Sequence, residues 1–324
     1  MIGTSENRLL LSRSFDSFET LAALARAWDA DFRQVSRSET EHRVVQVSIG
    51  GLLMSRGLFG CSLVQHGTTP RGLRTFALLE ADCSAVYWFG RRVGPADLLV
   101  FPTNGEIEAI SHPGFCNHTF SLAEDALAEF FDRAHGPSLS RILDSGPCVI
   151  PLSPEHLERL RSHLRKISFD QSALKMSLAL YDAYRDKLFS ILLEILEPAK
   201  KARPSNRGQA RRAVIKRVVD LLQIQQDQRF SLDDLCIVGG VPERTLNETF
   251  RKEVGMTPGA FVKGYKLYGA YRDLWHAQPS QARVVDVANA RGFWHMGQFA
   301  ADYKRLFGER PSDTLRRSTM PAPR

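Results

Sequence analysis

The 324-residue chain has little cysteine and pairs none of it by spacing: Cys61, Cys83, Cys116, Cys148 and Cys236 stand apart, an odd count without a C-x-x-C motif. That arithmetic argues against both a disulfide framework and a zinc ribbon, and it fits a reducing cytoplasm as the expected location. No stretch reaches the roughly 18 uninterrupted apolar residues of a membrane helix, and Glu6, Asp16 and Glu19 break up the N-terminus. Neither export nor a membrane span is therefore expected. The G-x-S-x-G, P-loop and G-x-G-x-x-G signatures are missing too, which removes the sequence grounds for a serine hydrolase, a nucleoside-triphosphatase or a dinucleotide enzyme. Histidine is scattered, at His42, His66, His112 and His118 in the region of short apolar runs, without the H-x-H pair that brings two imidazoles on one strand to a single ion. No metal and no cofactor is expected.

What is present is unevenly distributed. With 43% hydrophobic and 24% charged residues, the chain is long enough for two domains with ordinary cores. Before Lys200 there are 20 Lys and Arg against 24 Asp and Glu; from Lys200 onward there are 23 against 12. A net charge of +11 confined to the second part is the footprint of phosphate-backbone binding, although on charge alone a merely solvated basic face gives the same count.

The pattern of apolar residues also changes along the chain. Between Arg43 and Phe120, short runs such as Val44–Ile49, Thr75–Leu79, Ala85–Phe89 and Asp97–Phe101 alternate with Gly, Pro and Asn, and Asn104-Gly105 reads as a hairpin turn. This predicts a small antiparallel barrel or sandwich, preceded by a helix over Ser17–Ala30. Helical periods follow at Leu122–His135, Pro154–Ile167 and Gln171–Glu197. In the last of these, Leu174, Leu178, Tyr181, Leu188, Leu192 and Ile195 form a heptad-like stripe that suits packing on its own domain or a dimer contact. Pro198 closes that helix, and the polar, basic segment 200–209 reads as a linker. The expected division is a sensor domain at 1–199, the linker, and a helical domain at 210–324.

The helical domain contains one pattern twice. Cys236 and Ala288, and Gly240 and Gly292, are 52 residues apart; Leu246 and Phe299, Phe250 and Tyr303, Gly255 and Gly308, and Pro258 and Pro311 are 53 apart. A helix-turn-helix needs a small side chain where its helices cross, a residue tolerant of positive φ in the turn, and apolar anchors that fix the second helix to the core. Both copies supply all three. The remaining face of each second helix is free to enter a major groove. A helical solenoid is the competing reading, but such arrays usually need three or more units.

The run Gly292-Phe293-Trp294-His295-Met296-Gly297-Gln298-Phe299, continuing to Leu306-Phe307-Gly308-Glu309-Arg310-Pro311, resembles the AraC/XylS-type regulators over about Ala210–Arg317, and its Gly-Phe-Trp-His variant resembles the ethanolamine-utilisation branch. The resemblance implies an α+β two-domain protein. A cupin-like β-barrel or sandwich with helices would bind an effector and often dimerise. An all-α domain would carry two helix-turn-helix units joined by a long helix near Gly259–His276, with RNA polymerase as a partner. Carried over by position, the first recognition helix, Glu243–Val254, would present Arg244, Thr245, Asn247, Glu248 and Arg251. The second, from His295, would present Met296, Gly297 and Gln298, with Lys304 and Arg305 on phosphate. Ala301 stands where the family often has Arg, so the second unit is expected to read bases more weakly. Effector contacts are expected among the strand aromatics Tyr87, Trp88, Phe89 and Phe101, with Trp88 and Phe101 as the leading candidates. The resulting expectation is a sequence-specific, ligand-responsive transcriptional activator. The alternatives are a metal-dependent cupin-like enzyme with a DNA-binding appendage and a nucleoid protein without specificity.

Overall fold

The computed structural model describes residues 8–15, 18, 28–49, 51–83, 86–135, 148–166, 177–199, 209–225 and 227–317. The first domain is built on two antiparallel sheets. One contains β1 (Arg8–Phe15), β3 (His42–Ile49), β4 (Leu52–Phe59), β11 (Phe115–Ala123), β6 (Leu73–Leu79), β9 (Asp97–Val100) and β12 (Cys148–Pro151), in that spatial order. The other contains β2 (Asp29–Gln34), β5 (Leu63–Thr68), β10 (Glu106–Ser111), β7 (Val86–Trp88) and β8 (Arg91–Val93). Three helices follow: α1 (Glu124–His135), α2 (Pro154–Leu164) and α3 (Leu178–Ala199).

Strand alternation sorts the side chains of the larger sheet into two cores. Ala77, Leu79, Leu99 and Phe115 face the smaller sheet, while Phe76, Leu78, Leu98, Val100 and Phe120 face the helices. Both faces are thus covered, which is why β3 and β6 are buried almost along their whole length. On the helix side, Arg74 is 1% exposed and meets Glu124 at the start of α1 through two hydrogen bonds of 2.8 and 2.6 Å. Burial pushes the Glu124 carboxyl up, but its bonds from Arg74 and Thr103 outweigh this and hold it below its ordinary value. The α3 stripe belongs to the same core: Tyr181, Leu188, Leu192 and Ile195 pack within their own domain. Leu174 lies outside the described residues.

The second domain comprises α4 (Gln209–Ile224), α5 (Leu232–Gly239), α6 (Glu243–Glu253), α7 (Pro258–His276), α8 (Val284–Ala290), α9 (Met296–Phe307) and α10 (Pro311–Arg317). Its first half shares a core with the outer face of the smaller sheet, where Val35, Val64, Tyr87 and Ile110 meet Ile215, Val218, Phe250 and Phe261. Polar contacts reinforce the junction. The Arg272 guanidinium reaches Asp31 at 3.0 Å, Arg33 lies 4.6 Å over the Tyr265 ring, and Lys216 sits 3.5 Å from Glu108. Gly264 of α7 comes so close to Val35 that a Cβ there would stand 2.3 Å from the Val35 carbonyl oxygen.

Three sequence expectations change. The helix over 17–30 lies largely outside the described residues, and its last two positions open β2, whose backbone pairs with β5. Asn104-Gly105 is not a hairpin turn, because β9 and β10, on either side of it, belong to different sheets. The open choice between barrel and sandwich resolves to two sheets, and the 200–208 part of the expected linker lies outside the described residues.

Candidate nucleic-acid interface

The repeated sequence becomes a repeated geometry. The first unit is α5, Gly240 and α6; the second is α8, Gly292 and α9. Gly240 has φ 63° and Gly292 has φ 79°, the left-handed region each turn requires. One residue further on, the Val241 N–H donates to the Cys236 carbonyl at 3.1 Å and the Phe293 N–H donates to the Ala288 carbonyl at 2.9 Å. The same backbone bond therefore closes both turns. Ala288 is fully buried at the second helix crossing and Cys236 is partly buried at the first. Ser231 starts α5 with a reciprocal capping box to Asp234, whereas α8 starts at Arg283 with no side-chain cap.

Each second helix divides into two faces. In α6, Leu246 and Phe250 are buried; in α9, Phe299 and Tyr303 are buried. The opposite face of α6 exposes Arg244, Thr245, Glu248, Arg251 and Lys252, with Asn247 partly exposed. On α9, Gly297, Gln298, Ala301, Lys304 and Arg305 are exposed and Met296 is partly so. Arg244 donates to Glu248 at 2.9 Å with its side chain 90% exposed, and Asn247 donates to the Glu243 carbonyl at 3.1 Å. Arg305 pairs with the buried Asp302, which also meets Lys263 of α7 at 3.3 Å. Nothing within 4 Å would meet a Cβ at Gly297, so backbone at the start of α9 is open to close approach.

Sequence reasoning assigned the basic excess to DNA, and part of it has internal work. Arg217 donates to the Gly239 carbonyl at 2.9 Å, and Arg229 donates to the Gly292 carbonyl at 3.0 Å, so an arginine braces each turn. Lys266 bonds the Gln228 carbonyl, and Arg291 forms a two-pronged pair with Asp273 at 2.6 and 2.7 Å. Trp294, 60% exposed just before α9, is a surface candidate that the apolar pattern did not single out. It lies in the Gly292-Phe293-Trp294-His295 run, where the sequence marked it as part of a motif and not as a surface residue.

The two effector candidates meet in a cavity of about 100 Å³ between the sheets. Trp88 and Phe101 are buried on its wall, with rings edge-to-face at 5.1 Å. Tyr87 points the other way, into the core shared with the second domain, and Phe89 packs at its edge on Trp88 without lining the cavity. The four histidines do not converge. His42 accepts from the Gly60 N–H, His118 meets Glu80, His112 lies beneath Gly255, and His66 lies on β5.

A helix-turn-helix domain family matches residues 235–317. The chain is 33% identical over 129 residues to a probable thc operon regulatory protein of Rhodococcus erythropolis, covering 40% of this chain and 39% of that protein. It is 36% identical over 104 residues to XylDLEGF operon transcriptional activator 3 of Pseudomonas putida, covering 32% and 31% respectively. Among solved structures, the AraC-like transcriptional activator CuxR aligns over 81% of this chain and 96% of its own, at 12% identity and a TM-score of 0.42. The chain thus spans about two fifths or less of the length of these curated relatives. Within the second domain, residues 235–317 match a helix-turn-helix domain family.

Proposed function

We propose that the chain is a sequence-specific DNA-binding transcriptional regulator, an activator whose first domain senses a small molecule. The observation that carries this is the pair of helix-turn-helix units with matching turns, each presenting a polar, solvent-facing helix from the more basic domain. In this reading Arg244, Thr245, Asn247, Glu248 and Arg251 face one stretch of major groove. Met296, Gly297 and Gln298 face the next, while Lys304 and Arg305 meet phosphates. Arg and Asn are the side chains suited to two-pronged readout of guanine and adenine edges, and the exposure of Arg244 lets it exchange Glu248 for a base at little cost. Trp88 and Phe101 form the effector contact. RNA polymerase is the protein partner, a second copy supplies the other half-site, and the cytoplasm is the location. The Gly292-Phe293-Trp294-His295 run supports the narrower ethanolamine-utilisation branch, which the genes beside the bound DNA would test.

The test is selection of genomic fragments by the full-length protein, followed by competition against single-base variants at two salt concentrations. Arg244→Ala or Asn247→Ala should cost about 1 to 3 kcal/mol and relax preference at one or two base pairs. Lys304→Ala should weaken binding to all sequences alike and flatten the salt dependence, because counterion release follows phosphate contacts. Failure to prefer any genomic fragment over random duplex at moderate salt would end the reading. Sedimentation at micromolar protein, with and without DNA, tests the second copy.

A further inference from the structure

The cavity between the sheets has a composition that narrows what it can hold. Among the described residues, no ionisable side chain lines it; its polar groups are the neutral amides and hydroxyls of Gln46, Ser55, Gln65, Asn117 and Thr119. Arg74, the buried cation of the larger sheet, faces the helix layer and is bound by Glu124. A carboxylate or ammonium entering this space would lose its hydration and find no opposite charge.

The rest of the wall is aromatic. Phe32, Phe59 and Phe115 form a row of nearly parallel rings, 6.3 Å apart at 20° and 5.7 Å apart at 15°, and Trp88 and Phe101 close another side. Apolar cavities of about 150 Å³ accept benzene, so about 100 Å³ suits a single ring after small side-chain movement. One donor is left over: the Trp88 Nε1–H is buried without a hydrogen-bond partner among the described residues, on a ring held edge-on by Phe89 and Phe101. Buried indole N–H groups ordinarily have a partner.

We infer that this cavity takes a small, uncharged, one-ring aromatic molecule bearing a hydrogen-bond acceptor, which the Trp88 Nε1–H engages. The inference rests on the effector reading above and adds the chemical class. It gives the lining amides a secondary role in orienting the acceptor and leaves no role for a counter-ion.

Three near-isosteric probes separate the possibilities on the full-length protein by calorimetry and ligand-observed NMR. Acetophenone is neutral with an acceptor, α-methylstyrene is neutral without one, and benzoate is charged. Acetophenone should bind one per chain, at least about tenfold more tightly than benzoate, and roughly 3- to 10-fold more tightly than α-methylstyrene. Trp88→Phe, which keeps a ring and removes the donor, should abolish the difference between the two neutral probes while leaving both bound. Ala109→Leu, which fills the cavity, should weaken both, with circular dichroism checking the fold; Trp88→Phe decides the matter if Ala109→Leu does not fold. The inference is overturned if benzoate matches acetophenone, if neither neutral probe binds up to millimolar concentration, or if Trp88→Phe preserves the difference. If the neutral probes bind as expected but leave affinity for the selected DNA unchanged, the ligand class stands and the effector reading fails.

Discussion

Tyr87 and Trp88 are neighbours in β7, yet one enters the core of the helix-turn-helix domain and the other the cavity. Period-two alternation already implies that they cannot share a surface, but which of them faces inward depends on which sheet lies opposite. Glycine in the turns was more legible, because a left-handed backbone is a local property. Gly240→Ala should cost about 1 to 2 kcal/mol for the positive φ alone, since its new Cβ would meet only the movable end of Arg217. Gly292→Ala should cost more, because its Cβ would stand 2.8 Å from the backbone oxygen of Asp227. Urea unfolding at constant slope would rank the two, and equal midpoints would show that the backbone contact is not felt. The bracing arginines Arg217 and Arg229 were not legible at all, since sequence cannot tell a guanidinium aimed at a carbonyl from one aimed at DNA. Removing Glu124 takes the paired carboxylate away from the buried Arg74, so Glu124→Ala should destabilise the first domain by about 3 to 5 kcal/mol. Because the folded Glu124 is held below its ordinary 4.5, the pair's contribution is full above that pH and is lost as pH falls through the lower folded value. The acid limb of a stability curve should therefore flatten in Glu124→Gln.

At the scale of elements, β2 is the clearest case of structure hidden from the sequence. Its six residues, Asp-Ala-Asp-Phe-Arg-Gln, include three charges, and the alternation of Ala30 and Phe32 with them is too short and too weakly apolar to announce a strand. The reason is that it serves two partners: Phe32 lines the cavity, while Asp31 and Arg33 hold Arg272 and Tyr265 of α7. Arg33→Ala should cost about 1 to 2 kcal/mol at this half-buried cation–aromatic contact. Arg33→Lys should restore only part of it, because the flat guanidinium stacks where an ammonium cannot. Gly264→Ala should act more sharply by forcing α7 off Val35, and faster hydrogen exchange at residues 33–37 with unchanged helix content would register it. The α3 stripe teaches the opposite lesson. A heptad-like period suits a partner helix or an intramolecular core equally, and here the sheet and α1 claim it.

For the whole molecule, the order of layers is α1 to α3, the larger sheet, the cavity, the smaller sheet, and the helix-turn-helix domain. The smaller sheet lies between the cavity and the core of the first helix-turn-helix unit, so the path from one to the other is no longer than from Trp88 to Tyr87 or from Phe32 to Arg33. The two units are themselves tied together, by Arg229 on the Gly292 carbonyl and Lys263 on Asp302. Helix α7, with 19 residues, is about 28 Å long, which with its flanking turns suits two units about one DNA turn apart. Footprinting should show two short protected elements about 10 base pairs apart on one face of the duplex, and protection on opposite faces would contradict that arrangement.

By itself the sequence determined the repeat, the turns and the charge division. Each of these follows from local backbone sterics, from the helical period or from composition, and none requires knowing what packs against what. The tertiary structure alone decided that the strands form two separate sheets, that their alternate residues divide between a cavity and two other cores, and that β2 fastens α7. Those features arise where side chains distant in the chain compete for the same burial, and a one-dimensional pattern records the burial without naming the partner.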